Sequence, residues 1–291
     1  MTERPDSPEL TNTRAERVKA VRALSGRSVR QRSGLFLAEG PQCVREAVRF
    51  ASVRDVYATA AAAERYGAIL DDAAARGMRV QLASDEVLAA MSADAQGLVA
   101  VVAQESPTLE AVLASGPALV AVLATVRDPG NAGTVIRAAD AAGADAVVLT
   151  AESVDIFNPK TVRATAGSLF HLPVVTGEQL ADAVAALRAA GLAVLAADGA
   201  GEHDLDDLLD VAGRAAVAAD DPAAVTDAAD AVPDLARATA WVFGNEAWGL
   251  APADRELADA VVRVPLRGQA ESLNLATAAT VCLYASARAQ R

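Results

Sequence analysis

Three segments of the chain concentrate side chains that orient, hydrogen-bond or neutralise other groups. The first is RDPGNAGTVIRAADAAGAD, residues 127–145, where Asp128, Pro129, Gly130 and Asn131 form a turn leading into a helix. Asn131 stands at the start of that helix, and Arg137 lies six residues on, about one and a half turns in. The second is WVFGNEAWGL, residues 241–250, an apolar strand ending in Gly244, Asn245 and Glu246. Glycine lets backbone approach a ligand closely, and the point where a strand leaves the sheet is a usual ligand position in α/β folds. The third is VRVPLRGQAESLNLATAATVCLYA, residues 262–285, where a strand ends at Pro265, a polar loop follows and Ser272 opens the last helix. Each segment also has a plain structural reading. Asn131 can cap its helix, Arg137 can pair with Asp140, and Glu246 can sit in a solvated turn. Ser272 can be an N-cap, and Asn274 can face water in the first turn.

Several other chemistries lack their residues. VRDPGNAGTVIR follows the strand ALVAVLAT with the wrong glycine spacing for a dinucleotide fingerprint, and Gly199 and Gly201 have no third partner. G-x-x-x-x-G-K-[ST], G-x-S-x-G and H-E-x-x-H do not occur. Neither Cys43 and Cys282 nor His171 and His203 show metal-ligand spacing, so no metal is expected. Both cysteines read as reduced core residues.

The elements around these segments alternate between strand and helix. The first ten residues are expected to be disordered. TRAERVKAVRALSG then reads as a basic amphipathic helix with Ala15, Val18, Val21 and Leu24 inward. A short strand (GLFLAEG), a helix opened by Pro41, a strand (SVRDVYAT), one helix through AAAERYGAILDDAAARG, a strand (MRVQLA), a helix capped by Ser84 and a strand (QGLVAVVAQ) complete an α/β domain over residues 1–106. Residues 117–291 form a second α/β unit. Its strands ALVAVLAT, DAVVLT, HLPVV, LAVLAAD, TAWVFG and AVVRVP include runs apolar on both faces, which predicts a parallel sheet covered by helices. Residues 199–236, rich in Ala, Asp and Gly, read as a partly mobile acidic insertion.

Hydrophobic residues make up 53% of the 291, enough for sizeable cores, while aromatics are only 3%, so Ala, Val and Leu must fill them. No stretch reaches the ~18 uncharged apolar residues of a membrane span, and a soluble cytoplasmic protein is expected. The net charge of −12 argues against a polyanionic partner. Its distribution argues the other way. Arg14, Arg17, Lys19, Arg22, Arg27, Arg30 and Arg32 cluster near the start with Glu16 as the one acid among them, whereas much of the negative charge lies between Glu202 and Asp234. The cluster reads equally as a solvated helix face or as a nucleic-acid contact.

Taken in order, N-x5-R, then G-N-E, then P-x6-S-L-N at the final helix resemble the signature motifs of the SpoU (TrmH-type) family, RNA 2′-O-ribose methyltransferases of the SPOUT superfamily. NPKTVRATAGSLFHLPV resembles the stretch between the first two motifs, with Thr165 where Ser is commoner. The N-terminal part, with FLAEG before a helix, is similar to the family's small RNA-binding domain. The resemblance implies a C-terminal parallel-sheet domain tied in a trefoil knot, S-adenosylmethionine as cofactor, a homodimer with each active site at the subunit interface, and structured RNA as substrate. Ribosomal 23S RNA is favoured over transfer RNA. It further implies catalytic or positioning roles for Arg137, Asn131, Glu246, Ser272 and Asn274. Gly244, Val264 and Leu273, lined by Phe243, Pro265 and Leu266, would hold the cofactor through backbone groups. Arg163 is a candidate for phosphate, and Arg27, Arg30 and Arg32 for RNA. Base methylation, and an RNA-binding or ribosome-assembly protein without catalysis, are the alternatives.

Overall fold

The computed structural model describes residues 9–220 and 232–291, with the side chains of 214–220 excepted. In chain order the first elements are α1 (Glu16–Ala23), α2 (Arg27–Ser33), β1 (Leu35–Glu39), α3 (Gly40–Phe50), β2 (Val53–Ala58), α4 (Ala60–Arg65), α5 (Gly67–Ala75), β3 (Arg79–Leu82), α6 (Asp85–Met91) and β4 (Leu98–Ala103). Then follow α7 (Leu109–Leu113), β5 (Leu119–Leu123), α8 (Pro129–Ala142), β6 (Ala146–Thr150), α9 (Pro159–Ala164), β7 (Val174–Glu178), α10 (Leu180–Ala189) and β8 (Ala193–Ala197). The chain closes with β9 (His203–Asp204), α11 (Leu205–Asp220), β10 (Thr239–Phe243), α12 (Pro252–Arg255), β11 (Ala260–Arg263) and α13 (Leu275–Ala289). The described residues divide into two compact units, one up to Glu105 plus Asp155–His171, the other Ser106–Val154 plus Leu172–Arg291.

In the first unit a sheet of order β1-β4-β2-β3 is antiparallel except for the β2/β3 pair. Alternation along each strand feeds two cores. Phe36, Ala38, Val56, Ala58, Leu98, Ala100 and Val102 join one apolar cluster, and Leu37, Tyr57, Val99 and Val101 join another with Val18, Val21 and Leu24 of the first helix and its end. Residues 155–171, read from sequence as part of the second unit, group here because Val162, Phe157 and Phe170 enter the first of these clusters.

Arg30 corrects the reading of the basic cluster. It sits on α2, a helix that the apolar pattern did not indicate, and is 2% exposed. Its Nη1 donates to the carbonyls of Leu24 and Ser25 at 3.0 and 2.6 Å, and its Nη2 to Asp155 at 2.6 Å. Its Nε is buried without a hydrogen-bond partner, but a guanidinium enclosed this way and held at both Nη atoms is a structural pin rather than an RNA ligand. Arg27 and Arg32 remain exposed. The helix expected through AAAERYGAILDDAAARG is broken at Tyr66 (φ −118°, ψ 30°), with Gly67 opening the second piece. The disorder expected for the first ten residues falls on 1–8, outside the described residues, while Leu10 is bridged to Ala83 beside β3.

The second unit is built on a seven-stranded parallel sheet of order β7-β6-β5-β10-β8-β11-β9. β5, β6 and β10 are buried along their whole length, as expected for strands covered on both faces. β5 and β10 are neighbours although 115 residues lie between Leu123 and Thr239, and the chain leaves them toward opposite sides of the sheet. Such a point opens a crevice at the carboxyl ends of the strands. α13 closes the unit, with Trp241 Nε1 donating to Ser286 Oγ at 2.9 Å in the interior.

The described part of 199–236, read as a partly mobile insertion, contains an edge strand and a helix. His203 and Asp204 pair with Val262 and Arg263 as an edge strand, and α11 follows at once. Leu205, Leu208 and Ala212 are buried, the i, i+3, i+7 pattern of a helix laid on a core. Residues 221–231 lie outside the described residues. Among the described residues no helix is long and apolar enough to cross a membrane.

Candidate active site

The three polar segments meet at the carboxyl edge of the parallel sheet. Asp128 ends the loop after β5 and caps α8, its Oδ1 accepting the N–H of Asn131 at 2.7 Å. The cap is therefore Asp128, and the amide of Asn131 is left for another partner. Asn274 caps α13, its Oδ1 accepting the N–H of Ala276 at 2.9 Å. Its Nδ2 donates to Asn131 Oδ1 at 3.0 Å across 143 residues of sequence. Ser272, expected to open that helix, lies before it in the preceding loop. The reason is geometric: the cap needs its side chain within reach of the N2 and N3 amides, and Asn274 reaches both Ala276 and Thr277.

Glu246 ties the second segment to the first. Its Oε1 accepts the N–H of Asp128 at 2.8 Å, and its Oε2 approaches that of Arg127 at 3.4 Å. A carboxylate spent on two backbone amides positions a loop and is a poor candidate for a free base. Asn245, not singled out by the sequence, is 4% exposed and secures the same junction. Its Nδ2 donates to the carbonyl of Thr125 at 2.7 Å and its Oδ1 accepts from Ala247 at 2.8 Å. Thr125 takes φ +58°, rare for a β-branched residue, and Asn245 is the group that holds its carbonyl. The Asn of G-N-E was the available signal.

Asn245 and Gly249 also exchange both backbone hydrogen bonds, at 2.9 and 2.8 Å, so the loop is a closed turn. Gly244 lies directly beneath it. A Cβ built there would come within 2.3 Å of the Gly249 carbonyl carbon and 2.5 Å of Leu250 N. The position admits glycine alone.

Beside this junction is a cavity of about 320 Å³ lined by Ala197, Phe243, Gly244, Val262, Leu273 and Ala278 among others. Val264 and Leu266 line it too, as do the polar Asp198, Glu246, Glu271 and Ser272. Five of the six residues expected at the cofactor are thus brought together. Pro265 is the exception and lines a neighbouring cavity. Val264 and Leu273 line both cavities, so Pro265 stands next to the wall the two share. Asp198 and Glu271 were not foreseen. An apolar cleft with exposed backbone and a few carboxylates suits a flat heterocycle carrying a cationic group.

Comparison with known proteins decides the relationship. The model of the SpoU rRNA Methylase family matches residues 118–284, and that of an MRM3-like substrate binding domain matches residues 15–100. The chain belongs to the SpoU rRNA Methylase family. It is 37% identical over 163 residues to a 23S rRNA (uridine(2479)-2′-O)-methyltransferase of Streptomyces viridochromogenes, covering 55% of this chain and 49% of that protein, so it matches about half the length of that relative. It is 30% identical to a 23S rRNA (guanosine-2′-O-)-methyltransferase of Bordetella pertussis over 81% of this chain and 89% of that one. Among solved structures, an AdoMet-bound rRNA methyltransferase from Sinorhizobium meliloti superposes with a TM-score of 0.77 at 29% identity, covering 97% of both chains.

Two motif arginines of this SpoU member are placed differently from one another. Arg137 is exposed on α8, on one face with Gly130, Thr134 and Ala141. Among the described residues its guanidinium makes no hydrogen bond or ion pair, so the pairing with Asp140 is not made. It does not line the cavity that gathers Gly244, Val264 and Leu273. Arg163 belongs to the first unit, where Glu39 and Asp94 both pair with its guanidinium. Two carboxylates already neutralise that candidate phosphate ligand. Among the described residues no group of three or more His, Cys, Asp or Glu could hold a metal.

Proposed function

We propose that this chain transfers a methyl group from S-adenosylmethionine to a ribose 2′-hydroxyl of 23S ribosomal RNA, acting in the cytoplasm. The observation that carries this reading is the closed junction of the three motifs, Asn131 with Asn274 and Glu246 with Asp128, around an apolar cleft floored by Gly244. The printed names of the relatives support ribosomal RNA and the 2′-oxygen.

The cleft fits the donor. Gly244 lets backbone stand where any Cβ would collide, and Phe243, Val264, Leu266 and Leu273 offer apolar walls for adenine. The donor supplies a methyl group already activated on a sulfonium. What remains for the protein is to align the ribose oxygen and to offset its charge as its proton passes to solvent water. Asn131 and Asn274 fix the ends of α8 and α13 against each other, and Glu246 fixes the loop that precedes α8. The role of Arg137 in this reading is electrostatic: its guanidinium holds phosphate and stabilises the developing alkoxide.

Because Arg137 faces outward in the single chain, the reading includes a homodimer in which one copy's Arg137 meets the partner's cleft. The exposed Val281 and Tyr284 of α13, beside a cavity of about 660 Å³ that Leu209 and Leu273 also line, are the apolar surface for that second copy. The family's trefoil knot, with the segment before α13 as its threaded part, belongs to the same proposal.

The decisive test is transfer from methyl-labelled donor to unmodified 23S RNA by the purified chain, with the product mapped by nucleotide. One ribose 2′-O-methyl position is expected. A methylated base, or no transfer by folded protein that binds the donor, overturns the reading.

RNA contact by the first unit is assigned to Arg27 and Arg32, which stay exposed while Arg30 is internal. Truncating the N-terminus is a poor test, since Val18, Val21 and Leu24 are core residues. The double variant Arg27→Ala/Arg32→Ala is expected to lower the salt dependence of RNA binding by about 1.4 to 1.8 in log–log slope, at ~0.7–0.9 per phosphate lost. An unchanged slope in filter binding across a salt series makes both arginines part of a solvated face.

A further inference from the structure

Trp248 is one of two tryptophans in a chain poor in aromatics, and the two have opposite settings. Trp241 is 0% exposed, whereas Trp248 is 57% exposed at the tip of the Asn245–Gly249 turn. Nothing in the cofactor cleft accounts for it. Ala247 and Gly249 line that cavity, but the indole between them does not. Nor is the loop loosely held. Its ends exchange two backbone hydrogen bonds, and Asn245 anchors it to the carbonyl of Thr125. A large apolar ring is therefore presented to solvent on a rigid support, immediately beside the cleft.

Arg127 completes the arrangement. Its guanidinium carbon lies 5.3 Å from the centre of the Trp248 ring, while its side chain remains 58% exposed. The loop backbone at Arg127 is fixed by Glu246, and its guanidinium meets the exposed Glu152 at 3.5 Å. A ring with so much exposed surface still has a face that Arg127 does not cover. Unpaired RNA bases are bound by stacking on aromatic rings, with arginine meeting the adjacent phosphate.

We infer that Trp248 is the stacking platform for an unpaired base of the RNA substrate next to the reacting ribose, with Arg127 holding a neighbouring phosphate. This rests on the RNA reading above. Trp248 takes no part in the chemistry and acts by positioning the nucleotide. Since the ring sits one residue from the cavity wall on either side, a base held on it keeps its own ribose, or the next, at the mouth of the cleft.

The test uses the full chain with unmodified 23S RNA made by transcription. Trp248→Ala and Trp248→Leu are each expected to raise the KM for RNA about 10- to 100-fold, with a smaller change in kcat and an unchanged Kd for the donor. Trp248→Phe keeps an aromatic face and is expected to recover most of the loss. Fluorescence gives a second reading independent of turnover. RNA should quench the wild-type emission, and the Trp248→Phe protein, whose remaining emission comes from the buried Trp241, should not respond. If wild type methylates RNA and the leucine variant matches the phenylalanine one, stacking is wrong while the RNA reading stands. If wild type transfers no methyl to RNA, the function fails first, and absence of quenching then removes the platform as well.

Discussion

Arg137→Ala is expected to slow methyl transfer by about 10²- to 10³-fold while leaving donor affinity nearly unchanged, the usual effect of losing one well-aimed group that stabilises developing negative charge. The expectation follows from where the residue lies. Arg137 is absent from the walls of the cleft proposed for the donor, so donor binding is not expected to depend on it. It is exposed and makes no ion pair among the described residues, so its removal leaves no buried partner stranded and stability should fall by no more than a few tenths of a kcal/mol. Arg137→Lys should recover little, because an ammonium is a point charge and cannot reproduce a forked contact with phosphate. Single-turnover transfer, measured beside donor calorimetry and sedimentation, separates the step affected. Near-wild-type transfer by Arg137→Ala would remove the central residue of the mechanism. Mixing Arg137→Ala with a donor-cleft variant adds a test of the dimer: if each site draws its arginine from the other copy, the two inactive proteins should regain activity when mixed.

Gly244→Ala supplies that donor-cleft variant and has the largest expected structural effect. A methyl group 2.3 Å from one backbone atom and 2.5 Å from two others cannot be absorbed by a side-chain rotation. The turn 245–249 must move away from the end of β10, and it carries both Glu246 and the Asn245–Thr125 link. Overpacking of this kind costs about 1–3 kcal/mol, and donor binding should weaken more than tenfold because the moved backbone forms one wall of the cleft. Gly268→Ala is the matched control, since a Cβ there meets nothing within 4 Å and the residue does not line the cleft. Thermal unfolding and calorimetry of the two proteins provide the comparison. Equal melting temperatures and equal donor affinities would mean that the backbone at Gly244 does not shape the site.

Much of the candidate site was legible because its residues are short-range signals. Turn formers before an apolar helix, a glycine at a strand end and an Asn at a helix start carry their meaning locally. Caps were less legible. Asp128, Asn131, Ser272 and Asn274 are all good cap residues, and only the path of the chain chooses among them.

By itself the sequence determined the alternation of strands and helices, the doubly buried parallel sheet and the three motifs, since hydrophobic period and turn chemistry act within a few residues of each position. The tertiary structure alone decided three things. It brought β10 beside β5, so that Glu246 meets the Asp128 amide across 118 residues. It buried Arg30 among carbonyls and a carboxylate that lies 125 residues away, where sequence offered only one more positive charge in a basic run. And it turned part of an acidic, alanine-rich stretch into an edge strand and a helix, because β11 left an open edge for His203 and Asp204 to pair with. In each case the deciding energy comes from partners far along the chain: burial satisfies or strands a polar group according to what folding places beside it, and no local pattern encodes that neighbour.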